Sequence, residues 1–406
     1  MDMSKTLPQG WKKLSIDDIL IDKISGEWGK ECVDENEGVY VLRTTNFTNE
    51  GKLKLDEVVK RTIEEKKVEK KKLQYGDIIL EKSGGSENQP VGRVVYFDIQ
   101  SEDTYLCNNF TQILRTNPEI INSKYLLYVL FDIHRKGITE YFQNKTTGIR
   151  NLQIKSYLEQ KINIPPLEEQ ERIVSILERA DDAICKREES NRLLDEYLKS
   201  VFVDMFGDPV TNPKGWDKIK LKDFGKVVTG NTPSRKQEEY YGNYIEWIKS
   251  DNINTPYHYL TQAEEYLSEE GCSVGRKVPK GSILITCIAG SRSCIGNCAI
   301  ANREVTFNQQ INAIVPNEDI NNNFLYTQLL VGKSIVQSYS TNSMKGMISK
   351  GVFENVEFMC PPTELQNEFG DIFDKINEMK NKCEEELLGL NNLFNSLMQR
   401  AFNGEL

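Results

Sequence analysis

The sequence predicts two tandem copies of one mixed α/β (α+β) module, each closed by a long helix, giving the chain an internal pseudo-two-fold repeat. Three observations carry this reading: a self-match at a nearly constant offset, a double proline at the same place in each copy, and a long heptad stripe after each double proline. The 406 residues suffice for two or three domains with their own cores. No run approaches the ~20 apolar residues of a membrane span, and Met1–Gly10 lacks the apolar core of a signal peptide. Nine cysteines, odd in number and without a regular framework, read as reduced thiols in the cytoplasm.

The repeat is ordered. Gly10-Trp11-Lys12-Lys13-Leu14-Ser15-Ile16-Asp17-Asp18-Ile19 returns 205 positions on as Gly215-Trp216-Asp217-Lys218-Ile219-Lys220-Leu221-Lys222-Asp223-Phe224. Tyr75-Gly76-Asp77-Ile78-Ile79-Leu80 returns as Lys280-Gly281-Ser282-Ile283-Leu284-Ile285 at the same offset. Pro165-Pro166 returns as Pro361-Pro362, 196 positions on, because the second copy has a shorter middle. In the first copy, short β-type runs cover Val39 to Arg43, Asp77 to Glu81, Arg93 to Phe97 and Thr111 to Arg115, punctuated by Gly, Asn and Asp. Helical stretches follow, from Ser123 to Phe142 and from Asn323 to Tyr339, each leading through a short strand to the double proline. Proline suits the first turn of a helix and disfavours helix before itself, so Pro166 and Pro362 mark helix starts. Glu168, Glu169 and Glu171 then sit where the helix dipole favours negative charge.

Each start opens a four-three seam. It runs through Ile173, Leu177, Ala180, Ile184, Arg187, Asn191, Leu194, Leu198, Val201 and Met205, and again through Phe369, Phe373, Ile376, Lys380, Cys383, Leu387, Leu390, Phe394, Leu397 and Ala401. A 3.5-residue period sustained this long predicts a coiled coil, and equal length and register favour mutual pairing of the two helices. At ~1.5 Å per residue the seam is about 48 Å long, which reads as a stiff rod rather than part of one compact core.

The acidic balance is local. Residues 161–210 carry 7 Lys+Arg against 12 Asp+Glu, and residues 361–406 carry 4 against 9. Residues 1–160 and 211–360 are close to neutral, at 24 against 25 and 16 against 15. The helices thus hold the whole net charge of −10. They would stand clear of phosphate and suit a protein partner, while the globules are too weakly charged to hold DNA alone.

The order of parts resembles the DNA-specificity (S) subunit of type I restriction–modification systems. The likeness rests on the Pro165-Pro166-Leu167-Glu168-Glu169-Gln170-Glu171-Arg172-Ile173 run, its second copy Pro361-Pro362-Thr363-Glu364-Leu365-Gln366, and the Gly-Trp opening of each globule. Thr147-Gly148-Ile149-Arg150-Asn151-Leu152 and the terminal Ala401-Phe402-Asn403-Gly404-Glu405-Leu406 fit as well, with Met344 departing from the pattern where Gly148 would repeat. The resemblance implies two target-recognition domains, residues 1–164 and 207–360, separated by a long antiparallel two-helix coiled coil of conserved-region helices, residues 165–206 and 361–406. It further implies a non-catalytic subunit that reads a split double-stranded DNA target and docks two methyltransferase subunits, with or without restriction/translocase subunits. S-adenosylmethionine would sit on the methyltransferase, with no cofactor and no metal on this chain. The rod would then act as a ruler, placing half-sites about one helical turn apart.

Base reading calls for amides, hydroxyls and cations on loops. The first copy offers Arg43-Thr44-Thr45-Asn46, Lys82-Ser83-Gly84-Gly85-Ser86, and Lys145-Thr146-Thr147 with Arg150. The second offers Lys249-Ser250-Asp251-Asn252, Ser291-Arg292-Ser293 and Lys345. Asn46 and Asn252 have a competing reading as turn-capping residues. Lys60–Lys72 holds six lysines, one arginine and three glutamates and reads as a mixed-charge solvated helix before a phosphate-tracking surface. Gly332-Lys333-Ser334 lacks the upstream glycine of a phosphate loop, and Asn163-Ile164-Pro165-Pro166-Leu167 lacks the stacking aromatic of an adenine methylase. Cys272, Cys287, Cys294 and Cys298 lack zinc-site spacing, and His134 and His258 are the only histidines. Two rival readings stay open: a specificity subunit of an orphan methyltransferase without restriction, and a coiled-coil protein adaptor that binds no DNA.

Overall fold

A computed structural model describes residues 7–34, 37–86, 88–146, 149–341 and 346–406. The chain divides into two compact units, residues 1–186 with 387–406, and residues 187–386. The long helices Leu167–Phe206 and Thr363–Phe402 each contribute one half to either unit.

In the first unit the run Ile78–Glu81 is buried at every position, as a central strand between two packed layers must be. It lies in an antiparallel sheet of order Leu20–Ser25, Thr111–Thr116, Ile78–Glu81, Val94–Tyr96. Side chains leave this sheet alternately. Ile78, Leu80, Val94 and Leu114 enter one core with Tyr125, Leu126 and Leu130 of the helix Ser123–Arg135. Ile79, Val95 and Ile113 enter the other core, beneath a second sheet of order Lys30–Glu31, Val59–Thr62, Val39–Leu42, Tyr105–Cys107, whose last pair is parallel.

The second unit repeats this plan. Its central sheet runs Gly225–Thr229, Ile311–Pro316, Ile283–Thr286, Cys298–Ile300. Ile283, Ile285 and Ile314 point into one core and Leu284, Ala299 and Ala313 into the other. Its second sheet again holds one parallel pair, Ile245–Ile248 with Val305–Phe307. In both units a small ladder ties the opening of the globule to the strand before the double proline: Lys12–Ser15 to Lys161–Ile164, and Lys218–Lys220 to Glu357–Met359.

The helices close the first of the two cores in each unit. Ile173, Val174, Leu177, Ala180 and Ile184 pack with Phe394, Met398 and Ala401 in the first unit. Leu198, Phe202 and Phe206 pack with Phe369, Phe373 and Ile376 in the second. Each unit thus joins the N-terminal half of one helix to the C-terminal half of the other, so the pairing is antiparallel. The two long helices pair antiparallel as expected, and within each unit they also pack on the globule. Each helix is too long for one core and contributes to two, with the polar seam positions Arg187 and Asn191 of the first helix between them. The strict four-three spacing also gives way near the end of the first helix. Phe202 and Phe206 are fully buried where Val201 and Met205 were expected, because their rings pack against Phe324 and Phe369 at centroid distances of 4.8–5.7 Å.

The polar seam position Lys380 is also buried. Its ammonium pairs with Asp195 and lies 3.5 Å from His258 Nε2, while His258 Nδ1 lies 3.0 Å from the Tyr326 hydroxyl. Burial pushes the Asp195 carboxyl up, but hydrogen bonds from His258 and Lys380 outweigh it and hold the group below its usual range. Among the described residues, no helix is long and apolar enough to cross a membrane.

The glutamine of each Pro-Pro motif anchors its helix to its globule. Gln170 is fully buried; its Oε1 accepts from Asn122 N at 2.7 Å and its Nε2 donates to Pro165 O at 2.9 Å. Gln366 repeats this with Asn321 N (3.1 Å) and Pro361 O (2.8 Å). Asn122 and Asn321 in turn cap the helices that follow them, Ser123–Arg135 and Asn322–Val331. Replacing Gln170 or Gln366 by Leu should cost its own unit ~2–3 kcal/mol, since a buried N–H and a buried carbonyl lose their partners. The double variant should be additive in urea denaturation, because the two sites lie in different units.

Candidate nucleic-acid interface

One end of each globule is a junction of loops held by backbone hydrogen bonds. In the first unit the segment Cys107–Phe110 is the hub. Asn108 N donates to Leu42 O (2.9 Å), Glu27 N to Cys107 O (2.8 Å), and Gly26 N to Thr111 O (3.2 Å). Lys82 N and Ser83 N both donate to Phe110 O, and Leu152 N donates to Lys82 O (2.8 Å). The second unit matches these bonds one for one. Asn308 N meets Ile248 O, Asn231 N meets Phe307 O, and Gly230 N meets Ile311 O. Cys287 N and Ile288 N meet Gln310 O, and Ile348 N meets Cys287 O. Glycine is required at one point of each hub: a Cβ on Gly26 would stand 2.0 Å from Asn108 O, and one on Gly230 2.1 Å from Asn308 O. The backbone frame is the same in both copies, and the side chains it presents are not.

The expected readers fall into distinct groups on this frame. Lys82 stands at the first hub, half-buried, with its ammonium on Ser25 Oγ. Burial lowers its pKa, with nearby Lys71 adding to the effect and Cys107 opposing it. Ser83 donates to Asn151 Oδ1, and Arg150 is a half-buried strand residue 3.8 Å from Glu140. Lys249 pairs with Glu265 beneath the Trp247 ring, and Ser250 Oγ lies 3.4 Å from Gln310 Oε1. Thr44 is half-buried, and its carbonyl accepts from Arg93, whose guanidinium also makes a two-bond ion pair with Glu81. Arg43 reaches Glu57 O at 2.9 Å. Arg292 is exposed on the short helical turn Arg292–Cys294 beside the helix Lys333–Ser338. The hub counterpart of Lys82 is therefore Cys287 and not Arg292. Burial pushes the Cys287 thiol up to about 12, against a lowering contribution from Asn312. Lys145 lies in the strand Gln143–Thr146, and Lys345 falls outside the described residues.

Asn46 and Asn252 are corrected from readers to structural caps. Asn46 Oδ1 accepts from Arg43 N (2.9 Å) and its Nδ2 donates to Lys54 O (3.0 Å). Asn252 accepts from Lys249 N (3.0 Å) and donates to Gln262 O (2.9 Å). Both are buried, with the amide oxygen and nitrogen each bonded to backbone of their own loop. Sequence reasoning missed the hub loops themselves. Asn109 and Phe110 are exposed in the first unit, as is Gln309 beside the half-buried Gln310 in the second. The signal was present: Asn108-Asn109-Phe110 recurs as Asn308-Gln309-Gln310 at an offset of 200, directly before a buried strand.

An array of amide, hydroxyl and ammonium groups on a rigid frame can pair with base edges and phosphates. Comparison with known proteins points the same way. The chain matches the family described as type I restriction modification DNA specificity domain over residues 8–194 and again over 213–389. It is 24% identical to the HindI specificity subunit of Haemophilus influenzae, an alignment covering 83% of this chain and 88% of that one. It is 35% identical to the MjaIX specificity subunit of Methanocaldococcus jannaschii over 43% of this chain and 41% of that one. In fold it is similar to a chain solved in work on complex assembly and conformational transition of a type I restriction–modification system, with a TM-score of 0.56 at 17% identity, covering 99% of this chain and all of the other.

Substituting Asn46 or Asn252 by Ala should lower the stability of the unit that holds it by ~1–3 kcal/mol, as expected when buried backbone groups lose their partners. Thermal or urea unfolding reads this directly without any ligand; a reading residue on the surface would leave stability within ~0.5 kcal/mol.

Proposed function

The chain belongs to the family of type I restriction–modification DNA specificity domains, and from that premise we propose that it reads a bipartite, asymmetric DNA target for an adenine methyltransferase complex. Each globule reads one half-site through its loop junction, and the unread gap between half-sites has a fixed length. The chain performs no chemistry itself. It docks two methyltransferase subunits, which bind S-adenosylmethionine, through its long helices in the cytoplasm; restriction subunits join in a system that restricts.

The observation that carries this reading is the pairing of one backbone frame with two unlike sets of side chains. Lys82, Asn109 and Phe110 in one copy stand where the other has Cys287, Gln309 and Gln310. A shared frame with divergent contact groups is what two readers of different half-sites require. Docking through the helices is supported by their excess of acidic side chains and by exposed apolar residues on them. Leu193 and Tyr197 are exposed in the second unit, and Leu388 and Leu393 in the first.

Mapping methylated adenines genome-wide, with this chain present and then deleted, tests the proposal. A split motif with a constant gap should vanish on deletion, and Lys82→Ala should relax or abolish recognition of one half only. No motif lost on deletion, or equal loss of both halves in the Lys82 variant, overturns it.

A further inference from the structure

Each globule carries a short helix after a strand of its second sheet and ahead of its central strand, with the short strand Lys277–Val278 intervening in the second unit. In the first unit this is Glu65–Lys71, with Lys66, Lys67, Lys70 and Lys71 against Glu65 and Glu69. In the second it is Glu269–Val274, with two glutamates and no basic residue. Both helices lean on the loop junction through the residue after the hub glycine. Lys71 Nζ donates to Glu27 Oε2 at 2.8 Å and lies 3.4 Å from Gly26 O, and Lys67 lies 3.4 Å from Glu27 Oε1. In the second unit neutral Asn231 takes the place of Glu27, its Nδ2 donating to Val274 O at 2.9 Å.

Two of the four lysines are thus committed to Glu27, whose carboxyl is held below its usual range first by the Lys71 hydrogen bond. Lys66 and Lys70, one helical turn apart, are exposed and free of any ion pair among the described residues. The helix is continuous with the reading junction, since Lys71 is close enough to Lys82 to weaken that ammonium's hold on its proton. A purely solubilising mixed-charge face has no reason to be anchored at this rim, nor to reverse its sign in the other copy.

We propose that Lys66 and Lys70 of the helix Glu65–Lys71 bind DNA backbone phosphate beside the first reading junction, so that the first globule supplies a salt-sensitive anchor which the second lacks. This rests on the proposed function and deepens it: the two half-sites are held by different physics. The phosphate contacts are blind to sequence, and counterion release makes them steeply dependent on ionic strength. The second globule has an acidic helix at this place and no such lysine pair on it.

The test titrates potassium chloride against binding of the assembled complex, full chain plus methyltransferase, to a duplex bearing the mapped target and to one of scrambled sequence. Each phosphate contact contributes about 0.9 to the slope of log affinity against log salt. The Lys66→Ala/Lys70→Ala chain should therefore lose about 2 from the slope on both duplexes. In the converse arm, Glu269→Lys/Glu270→Lys should steepen the slope by a similar amount. An unchanged slope in the lysine-to-alanine variant overturns the inference while leaving the proposed function standing. Absence of duplex binding by the unsubstituted complex at every salt concentration overturns the proposed function itself.

Discussion

The fold depends on how two 40-residue helices bury an apolar stripe longer than any one core. Each globule has a central sheet with apolar side chains on both faces, and only one face is covered by the globule's own second sheet. The other is covered by the globule's own helix, Ser123–Arg135 or Asn322–Val331, together with the long helices. Phe202, Phe206, Phe369 and Phe373 fill it in the second unit; Ile173, Leu177 and Met398 do so in the first. At ~1.5–3 kcal/mol for each fully buried large apolar side chain, either set is comparable in gross terms to the typical net stability of a domain, ~5–15 kcal/mol. The core of each globule thus includes residues from both long helices.

What the two copies keep and what they change follow from that constraint. Kept are the parts that fix geometry: the hub glycines, the capping Asn46 and Asn252, and the helix-anchoring Gln170 and Gln366. Interior electrostatics are free to diverge. The first unit buries two arginine–carboxylate pairs, Arg93 with Glu81 and Arg115 with Asp77. The second has Asn297, Thr286, Val315 and Ser282 in their places and needs neither charge. A buried ion pair and a set of smaller uncharged side chains can serve the same frame, since desolvation offsets much of the Coulombic gain.

Much of this was legible in the sequence because it is local or repeated. The strand expected at Asp77 to Glu81 is Ile78–Glu81, and the double prolines do open the long helices. The helix expected from Ser123 to Phe142 stops at Arg135, where Gly137 adopts a left-handed conformation. The one expected from Asn323 to Tyr339 is two helices broken at Gly332, where a Cβ would stand 2.8 Å from the Phe358 ring. Less legible was everything decided by distant pairing. Sequence alone cannot distinguish an amide that caps its own turn, as Asn46 does, from one that faces outward, as Asn109 does. Nor could the heptad period reveal that each helix changes core midway, because the four-three spacing runs on unbroken through the polar positions Arg187, Asn191 and Lys380.

The most direct test of that sharing is hydrogen exchange on the full chain carrying Met398→Asp, which places a charge in the first core only. Faster exchange should appear in residues 173–184 and in the strand Ile78–Glu81, with residues 198–206 and the strand Ile283–Thr286 unchanged. Exchange that rises along both helices from end to end, with Ile78–Glu81 left protected, would contradict it.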